Sequence, residues 1–358
     1  MQKRFIMAGG GTGGHVIPAI AVARVLRDRG HEALFIGTRR GFEARLVPES
    51  GFPIEWIEIG GLKGLGAVRR FRTVVQIPTS VVRVLGIFRQ SRPAAVFSMG
   101  GYVAGPVVIA AAMRGVPVVA MEPNAVPGAT NRHAGRWLAR ALVSFDETLR
   151  YFPRGRAEVT GVPVRREFFE IAPKRREGAV TILITGGSQG SHTLNRAAVE
   201  SWPLFRGADF PFRFVHQTGP RQHEELAKRF AEFGLEGEIV PFIQDMPSAF
   251  ARADLVVCRS GAGAIAEVAA AGKPAILVPF PFATDNHQQK NAEAFQRAGA
   301  ARLALDRDLT GARLFDEVKA LVRDDTGALA RMGEAARRLA KPGAAQRAAD
   351  VLEEVACR

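Results

Sequence analysis

The sequence predicts an α/β chain of two doubly wound, Rossmann-like domains facing a cleft, and three observations carry that expectation. Short apolar strands alternate with helical patterns, as in a parallel sheet covered by crossover helices. The alternation restarts near residue 179, after a stretch rich in proline and basic residues, so one architecture is written twice. At 358 residues the chain is too long for one ordinary domain and suits two. We expect a first domain over residues 1–160, a second over 161–340, and a terminal helix over 341–358 packing back toward the first.

Each element follows in order from its own pattern. Residues 4–8 read as a strand, a glycine-rich turn follows, and a helix runs from about Pro18 to Arg29. Residues 33–37, 95–98 and 116–121 are further strands of the first half. In the second half residues 180–185 form a strand, GGSQGS the turn, and a helix begins near Thr193. Strands are expected at 212–217, 238–242, 255–258 and 275–279, and helices at 221–233, 263–271 and 287–298. The tail is helical after Pro342 and Gly343. In such domains ligands bind beyond the carboxyl ends of the strands, which suits a two-substrate reaction.

Composition narrows the class. Hydrophobic residues make up 47%, enough for two cores and inconsistent with disorder. Cys258 and Cys357 are the only cysteines and lack metal-ligand spacing, which fits a reducing compartment. The opening MQKRFIMAGGG is too short in apolar length for a signal peptide. The longest uncharged apolar stretch, residues 102–113, is about half the roughly 20 residues of a spanning helix and contains Pro106. A cytoplasmic protein without a transmembrane segment is expected.

The net charge of +14 is uneven: residues 1–160 carry 22 Lys and Arg against 10 Asp and Glu, residues 161–358 carry 27 against 25. The first half should therefore meet an anionic partner. Between Glu58 and Glu122 no acidic residue occurs, while Lys63, Arg69, Arg70, Arg72, Arg83, Arg89, Arg92 and Arg114 are interleaved with apolar residues that include Phe71, Val75 and Phe88. That is the pattern of a basic amphipathic segment lying on anionic lipid. We expect Arg69, Arg70, Phe71, Arg72, Val75, Arg83 and Phe88 at the membrane. The alternative is a packed helix pair with solvated arginines.

Four motifs carry the chemistry. In FIMAGGGTGGHVIPA, Gly9, Gly11 and Gly14 satisfy G-x-G-x-x-G between strand and helix, by itself a weak signal. A dinucleotide site would want an acidic residue at the end of the second strand, where the chain has Thr38-Arg39-Arg40, so a reader of a 2′-phosphate stays open. His15 at the helix start is the feature that does not fit a cofactor turn. ILITGGSQGSHTLN repeats the strand–loop–helix unit with Ser188 and Gln189 in the loop, a geometry whose backbone N–H groups bind phosphate. In VVCRSGAGAIAEVAAAGKP a strand enters Ser260–Gly263, and a helix follows with Glu267 in its second turn. A carboxylate there can accept from both ribose hydroxyls while the helix N-terminus faces a diphosphate. Asp285, Gln288 and Gln289 open the next helix with amides for sugar hydroxyls. Finally, FSMGGYVAGP and VVAMEPNAVPG bring Tyr102, Glu122 and Asn124 to the ends of first-half strands.

The ordered set GGTGGH, GGYVAGP, MEPN, TGVPVR, GGSQGS, SGAGAIAE and HQ..NA resembles the MurG family, over residues 9 to 291. The resemblance implies the glycosyltransferase-B fold and inverting transfer of N-acetylglucosamine from UDP-GlcNAc. The implied acceptor is the 4-hydroxyl of undecaprenyl-pyrophosphoryl-MurNAc-pentapeptide (lipid I), in peptidoglycan synthesis. The basic segment and the lipid-linked acceptor together lead us to expect a peripheral enzyme on the cytoplasmic face of the plasma membrane, and no cofactor is expected. By the same resemblance Thr12, Gly13, Gly14 and Asn124 meet the donor-sugar side. Arg165, Ser188, Ile243, the run Ala262, Gly263, Ala264, Ile265 and Glu267, and Gln288 hold UDP and its sugar, and Gln189 and Gln289, from the loop and helix readings above, are expected beside them. Two departures stand out: Pro123 where many members have Gln, and Ala264 where many have a hydroxyl residue, so phosphate contacts there fall to backbone N–H groups.

His15 is the expected base, because an imidazole titrates near neutrality and a helix N-terminus keeps it neutral. Tyr102, Glu122 and Asn124 complete the expected catalytic group. No metal is expected; Asp306-Arg307-Asp308 reads as a strand end and helix cap. Three rivals remain at this point. A UDP-sugar epimerase would need no membrane. A nucleic-acid binder is suggested by a pI near 10.8, but the chain has only two tyrosines and three tryptophans, no reader motif and no charge focused on one helix, so no nucleic acid is expected. An NADP oxidoreductase would quench nicotinamide fluorescence on titration.

Overall fold

The computed structural model describes residues 2–60, 67–174, 178–324 and 327–357, except the side chains of 67–75 and 284. The chain divides into two compact units, Met1–Val164 with Lys341–Arg358, and Arg165–Ala340.

In the first unit β1 (Arg4–Ala8), α1 (Gly13–Asp28), β2 (Glu32–Gly37), α2 (Glu43–Glu49), β3 (Ile54–Trp56) and α3 (Ala67–Ser91) come first. They are followed by β4 (Ala95–Ser98), α4 (Gly101–Arg114), β5 (Val118–Glu122), α5 (Ala129–Ala134), β6 (Arg140–Val143) and β7 (Ala157–Val159). All seven strands are parallel, in the order β3-β2-β1-β4-β5-β6-β7. Both faces are covered, which is why the strands read as unbroken apolar runs. Along β1, Phe5 and Met7 point to one cluster with α1, while Ile6 and Ala8 point to another with α3 and α4. Helix α1 starts at Gly13, five residues before the expected Pro18; the proline forfeits one ladder bond without ending the helix.

The second unit runs α6 (Arg166–Phe169), β8 (Val180–Thr185), α7 (His192–Arg206), β9 (Phe212–Gln217), α8 (His223–Phe233), β10 (Gly237–Val240) and α9 (Met246–Arg252). It continues with β11 (Leu255–Cys258), α10 (Ala262–Ala271), β12 (Ala275–Leu277), α11 (His287–Arg297), β13 (Ala301–Leu303), α12 (Gly311–Val322) and α13 (Ala328–Leu339). Its six parallel strands are ordered β10-β9-β8-β11-β12-β13. Strand β5 starts two residues later than its pattern suggested, at Val118, and β10 and β12 end two residues earlier, at Val240 and Leu277.

The last helix, α14 (Ala344–Ala356), belongs to the first unit. Ala348, Val351, Leu352 and Val355 are buried in the cluster that also holds Phe5 and α1. Around them Arg347 grips Glu158 with two bonds of 2.6 and 2.9 Å, and Arg29 bridges Asp350 and Glu353. Residues 160–164 also stay with the first unit, where Thr160 and Gly161 both donate to the carbonyl of Val143.

One expectation for the basic segment is corrected by burial. Phe88 is 3% exposed and packs with Val84 and Ile87 against α4 and the sheet, so it cannot face lipid. Its spacing along α3 puts it on the inward stripe of an amphipathic helix. Arg83 is exposed and paired with Glu55 at 3.0 Å. The side chains of Arg69, Arg70, Phe71, Arg72 and Val75 lie outside the described residues.

Candidate active site

In each sheet the strand order reverses once, at β1/β4 in the first unit and at β8/β11 in the second. A crevice opens at such a switch point beyond the strand ends. The glycine-rich loops fall there.

In the first unit the loop after β1 leads through Thr12, Gly13 and Gly14 into α1 and ends at His15. The carbonyl of Gly10 lies 3.2 Å from His15 Nδ1. A carbonyl only accepts, so the contact is a hydrogen bond in the Nδ1–H tautomer. The loop after β4 closes on the same ring: a Cβ on Gly101 would stand 3.2 Å from Nδ1. Tyr102, first turn of α4, lays its ring against Gly11, where a Cβ would come within 2.8 Å of the ring.

At the end of β5, Glu122 is only 2% exposed and turned inward. Its oxygens accept from Asn124 N and Nδ2 (both 3.1 Å), Gly128 N (3.0 Å) and Asn131 Nδ2 (3.0 Å). Desolvation pushes its pKa up, and these donors oppose the shift. That corrects the expected catalytic part for Glu122: it shapes the 122–131 loop and presents Asn124, whose side chain is half-buried.

Glu43, which no motif reading singled out, is completely buried at the start of α2. It accepts from Gly11 N (2.8 Å), Thr38 N (2.9 Å) and Thr38 Oγ1 (2.8 Å). Only glycine fits around it, since a Cβ on Gly10 or Gly41 would lie 2.6 or 2.0 Å from its oxygens. A carboxylate already holding Gly11 N–H repels a diphosphate there. The dinucleotide-cofactor alternative therefore loses its cradle, although its G-x-G-x-x-G is intact.

In the second unit the loop Gly186–Ser191 exposes Ser188 and Gln189 at its tip. Its base is held by Gln217, 1% exposed, whose Nε2 donates to Gly187 O (2.8 Å) and whose Oε1 accepts from Ile243 N (2.8 Å). Gly190, at φ +73°, backs directly onto Thr218, leaving no room for a Cβ. Ser191 caps α7 and accepts from Arg259 Nη2 at 2.7 Å. Arg259 also binds Asp306, which further accepts from Thr193 (3.0 Å). The D-x-D thus anchors an arginine after β11, and among the described residues no cluster of three His, Cys, Asp or Glu could hold a metal.

Helix α10 has no side-chain cap and no acidic residue in its first turn, so the N–H groups at Ala262–Ala264 face an open N-terminus. Gln288 stands beside it, its Oε1 accepting from Phe280 N (3.0 Å) and its Nε2 close to Gly261. Gln289 is bound to Glu293 at 2.9 Å. Asp285 and Asn286 take φ +52° and +53°, two successive left-handed non-glycine residues of the strained kind that gathers at functional sites. Glu267, half-buried on α10, is pushed up to about 7 by desolvation, with Arg165 pulling the other way.

The N-terminal domain model of glycosyltransferase family 28 matches residues 5–143, and its C-terminal domain model matches residues 181–353. A protein of Solibacter usitatus is 60% identical over 352 residues, covering 98% of this chain and 96% of its own. It is named UDP-N-acetylglucosamine--N-acetylmuramyl-(pentapeptide) pyrophosphoryl-undecaprenol N-acetylglucosamine transferase. A Halorhodospira halophila protein of the same name is 45% identical, covering 98% of both chains. The crystal structure of Acinetobacter baumannii MurG matches with a TM-score of 0.83 and 34% identity, covering 98% of this chain and 99% of its own. The chain belongs to the MurG family of glycosyltransferases.

As a MurG-family chain it has the glycosyltransferase-B fold, two parallel-sheet α/β domains. Within the first unit the structure gathers Thr12, Gly13, Gly14, His15 and Tyr102 at the β1/β4 switch point, with Asn124 in the loop after the neighbouring β5. Within the second it gathers Ser188, Gln189, Ile243, Ala262–Ala264, Glu267, Gln288 and, through its charge on Glu267, Arg165. Motif reading missed Glu43, Gln217 and Arg259. The only signal for Arg259 was a charge directly after a buried strand, and neither of the others had one.

Proposed function

We propose that the chain transfers N-acetylglucosamine from UDP-GlcNAc to the 4-hydroxyl of the lipid-linked MurNAc-pentapeptide, with inversion. The observation that supports it most is 60% identity across nearly the whole of both chains to a relative bearing that activity in its name. In this reading the second unit holds the donor. The open end of α10 and the 186–191 loop offer N–H groups to the diphosphate, Glu267 accepts from the ribose hydroxyls, and Gln288 meets the sugar. His15 takes the proton from the acceptor hydroxyl, whose oxygen bonds to the anomeric carbon as the bond to the β-phosphate oxygen breaks. UDP leaves as the anion, stabilised by helix dipole, loop amides and Arg165. Labelled GlcNAc should pass from UDP-GlcNAc, and not from UDP-glucose, to a short-chain lipid I analogue. Folded protein that transfers nothing would overturn the reading.

The acceptor's lipid also accounts for the uneven charge. Among the described residues no helix is long and apolar enough to cross a membrane. Helices α3 and α4 pack together and expose Val82 (68%), Ile109 and Met113 (64%), with exposed Arg89 and Arg114 on the same two helices and exposed Arg92 just after α3. In our reading this face rests on anionic lipid at the cytoplasmic side of the membrane. Replacing Val82, Ile109 and Met113 together by aspartate should reduce sedimentation with phosphatidylglycerol vesicles at least tenfold, on the order of 1 kcal/mol per charge near the surface. Unchanged binding would remove the patch from the account.

A further inference from the structure

We infer that Glu43 acts on His15 through a single peptide group, as the positioning residue that sets its tautomer and its basicity. The inference rests on the reading of His15 as the base. The group concerned is the peptide joining Gly10 to Gly11. Its N–H donates to Glu43 Oε2 at 2.8 Å, and its carbonyl, the Gly10 oxygen, lies 3.2 Å from His15 Nδ1. Carboxylate, peptide and imidazole therefore form a chain of hydrogen bonds. Negative charge at the N–H end polarises the peptide and makes its carbonyl a stronger acceptor. A stronger acceptor holds the proton on Nδ1, leaves Nε2 to receive the one from substrate, and stabilises the imidazolium that results. An aspartate bonded directly to a catalytic histidine has the same effect.

The surroundings are built for this contact. Glu43 is completely buried, and its other oxygen is anchored by both Thr38 donors at 2.9 and 2.8 Å. Gly10, Gly37 and Gly41 line it where any side chain would collide. The same geometry fixes the ring from its far side, since Gly101 leaves room for nothing between its Cα and His15. The other titratable groups on elements packed here are the Tyr102 phenol, beside Gly11, and the Glu122 carboxylate, set behind Gly100 by Asn131. Neither bonds the Gly10–Gly11 peptide.

Glu43→Gln is the informative variant: one oxygen keeps the Thr38 bonds, while an NH2 group meets Gly11 N–H, donor against donor. We expect kcat to fall about tenfold to a hundredfold, part of the roughly 10²–10⁴ a general base supplies, with donor KM unchanged. The acid limb of the rate profile should move to lower pH, because an imidazole without the relay is a weaker base. In a His15→Ala background Glu43→Gln should cost nothing further. A merely structural glutamate would give multiplicative losses and an unmoved limb, and either result overturns the inference. A second measurement needs no variant. ¹⁵N-labelled histidine in the wild-type protein should show the Nδ1–H tautomer for His15, and an Nε2–H tautomer rules the relay out. Absence of transfer by the wild type would instead count against the proposed function and leave the tautomer test standing.

Discussion

His15→Ala is expected to lower kcat by about 10²–10⁴ while leaving the donor KM within a fewfold of wild type, since a general base acts on the transition state and not on donor binding. The expectation follows from where the ring sits. His15 is in the first turn of α1, and its Nδ1 lies 3.2 Å from the Gly10 carbonyl. Steady-state rates at saturating acceptor, with UDP binding measured separately by calorimetry, check it. Equal losses in kcat and donor affinity would make His15 a sugar or phosphate contact instead, and the proton would need another acceptor. Tyr102, against Gly11, and Asn124, in the loop after β5, carry neither an imidazole nor a carboxylate.

Glu267→Ala is expected to raise the donor KM about a hundredfold, because two hydrogen bonds to a charged acceptor are together worth about 3 kcal/mol. The pH dependence should carry the same signature. Burial pushes Glu267 up to about 7 from its ordinary 4.5, with Arg165 offsetting only part of the cost. A carboxylate accepts from both ribose hydroxyls, whereas the neutral acid gives up one acceptor position to its own proton. Donor binding to wild type should therefore tighten as pH rises through about 7, and Glu267→Gln should flatten that dependence. In the empty protein the sign is opposite: ionising a carboxylate whose folded pKa is raised costs stability, so this contribution weakens the fold as pH rises through about 7. Wild-type donor affinity that is level from pH 6 to 8 would remove Glu267 from the ribose.

The amino-acid sequence by itself determined the layers and the loops. Strands such as β1, β8 and β11 are buried on both faces, so they appear as continuous apolar runs, and the turns after β1 and β8 pass through positive φ at Gly11, Gly187 and Gly190. Helix starts and glycine loops are legible because their pattern is contained in a few consecutive residues. The family resemblance rested on those same stretches.

Only the tertiary structure decided what supports them. Gly11 meets Glu43 from 32 positions away, Gln217 meets Ile243 from 26, and Arg259 meets Asp306 from 47. No local period marks such pairs, and an isolated glutamate or arginine reads as solvated surface until something covers it. The same holds for Phe88, whose stripe of α3 was equally apolar on either assumption until α4 packed against it. It holds for Glu122 too, which looked like chemistry because it follows a strand. Its four donors lie within the loop itself, and which way a carboxylate turns at a strand end depends on whether N–H groups or water receive it. Composition and pattern fix which elements form, since burial and backbone conformation are local demands. Which polar atoms find each other is settled by the crossings of elements far apart in the chain.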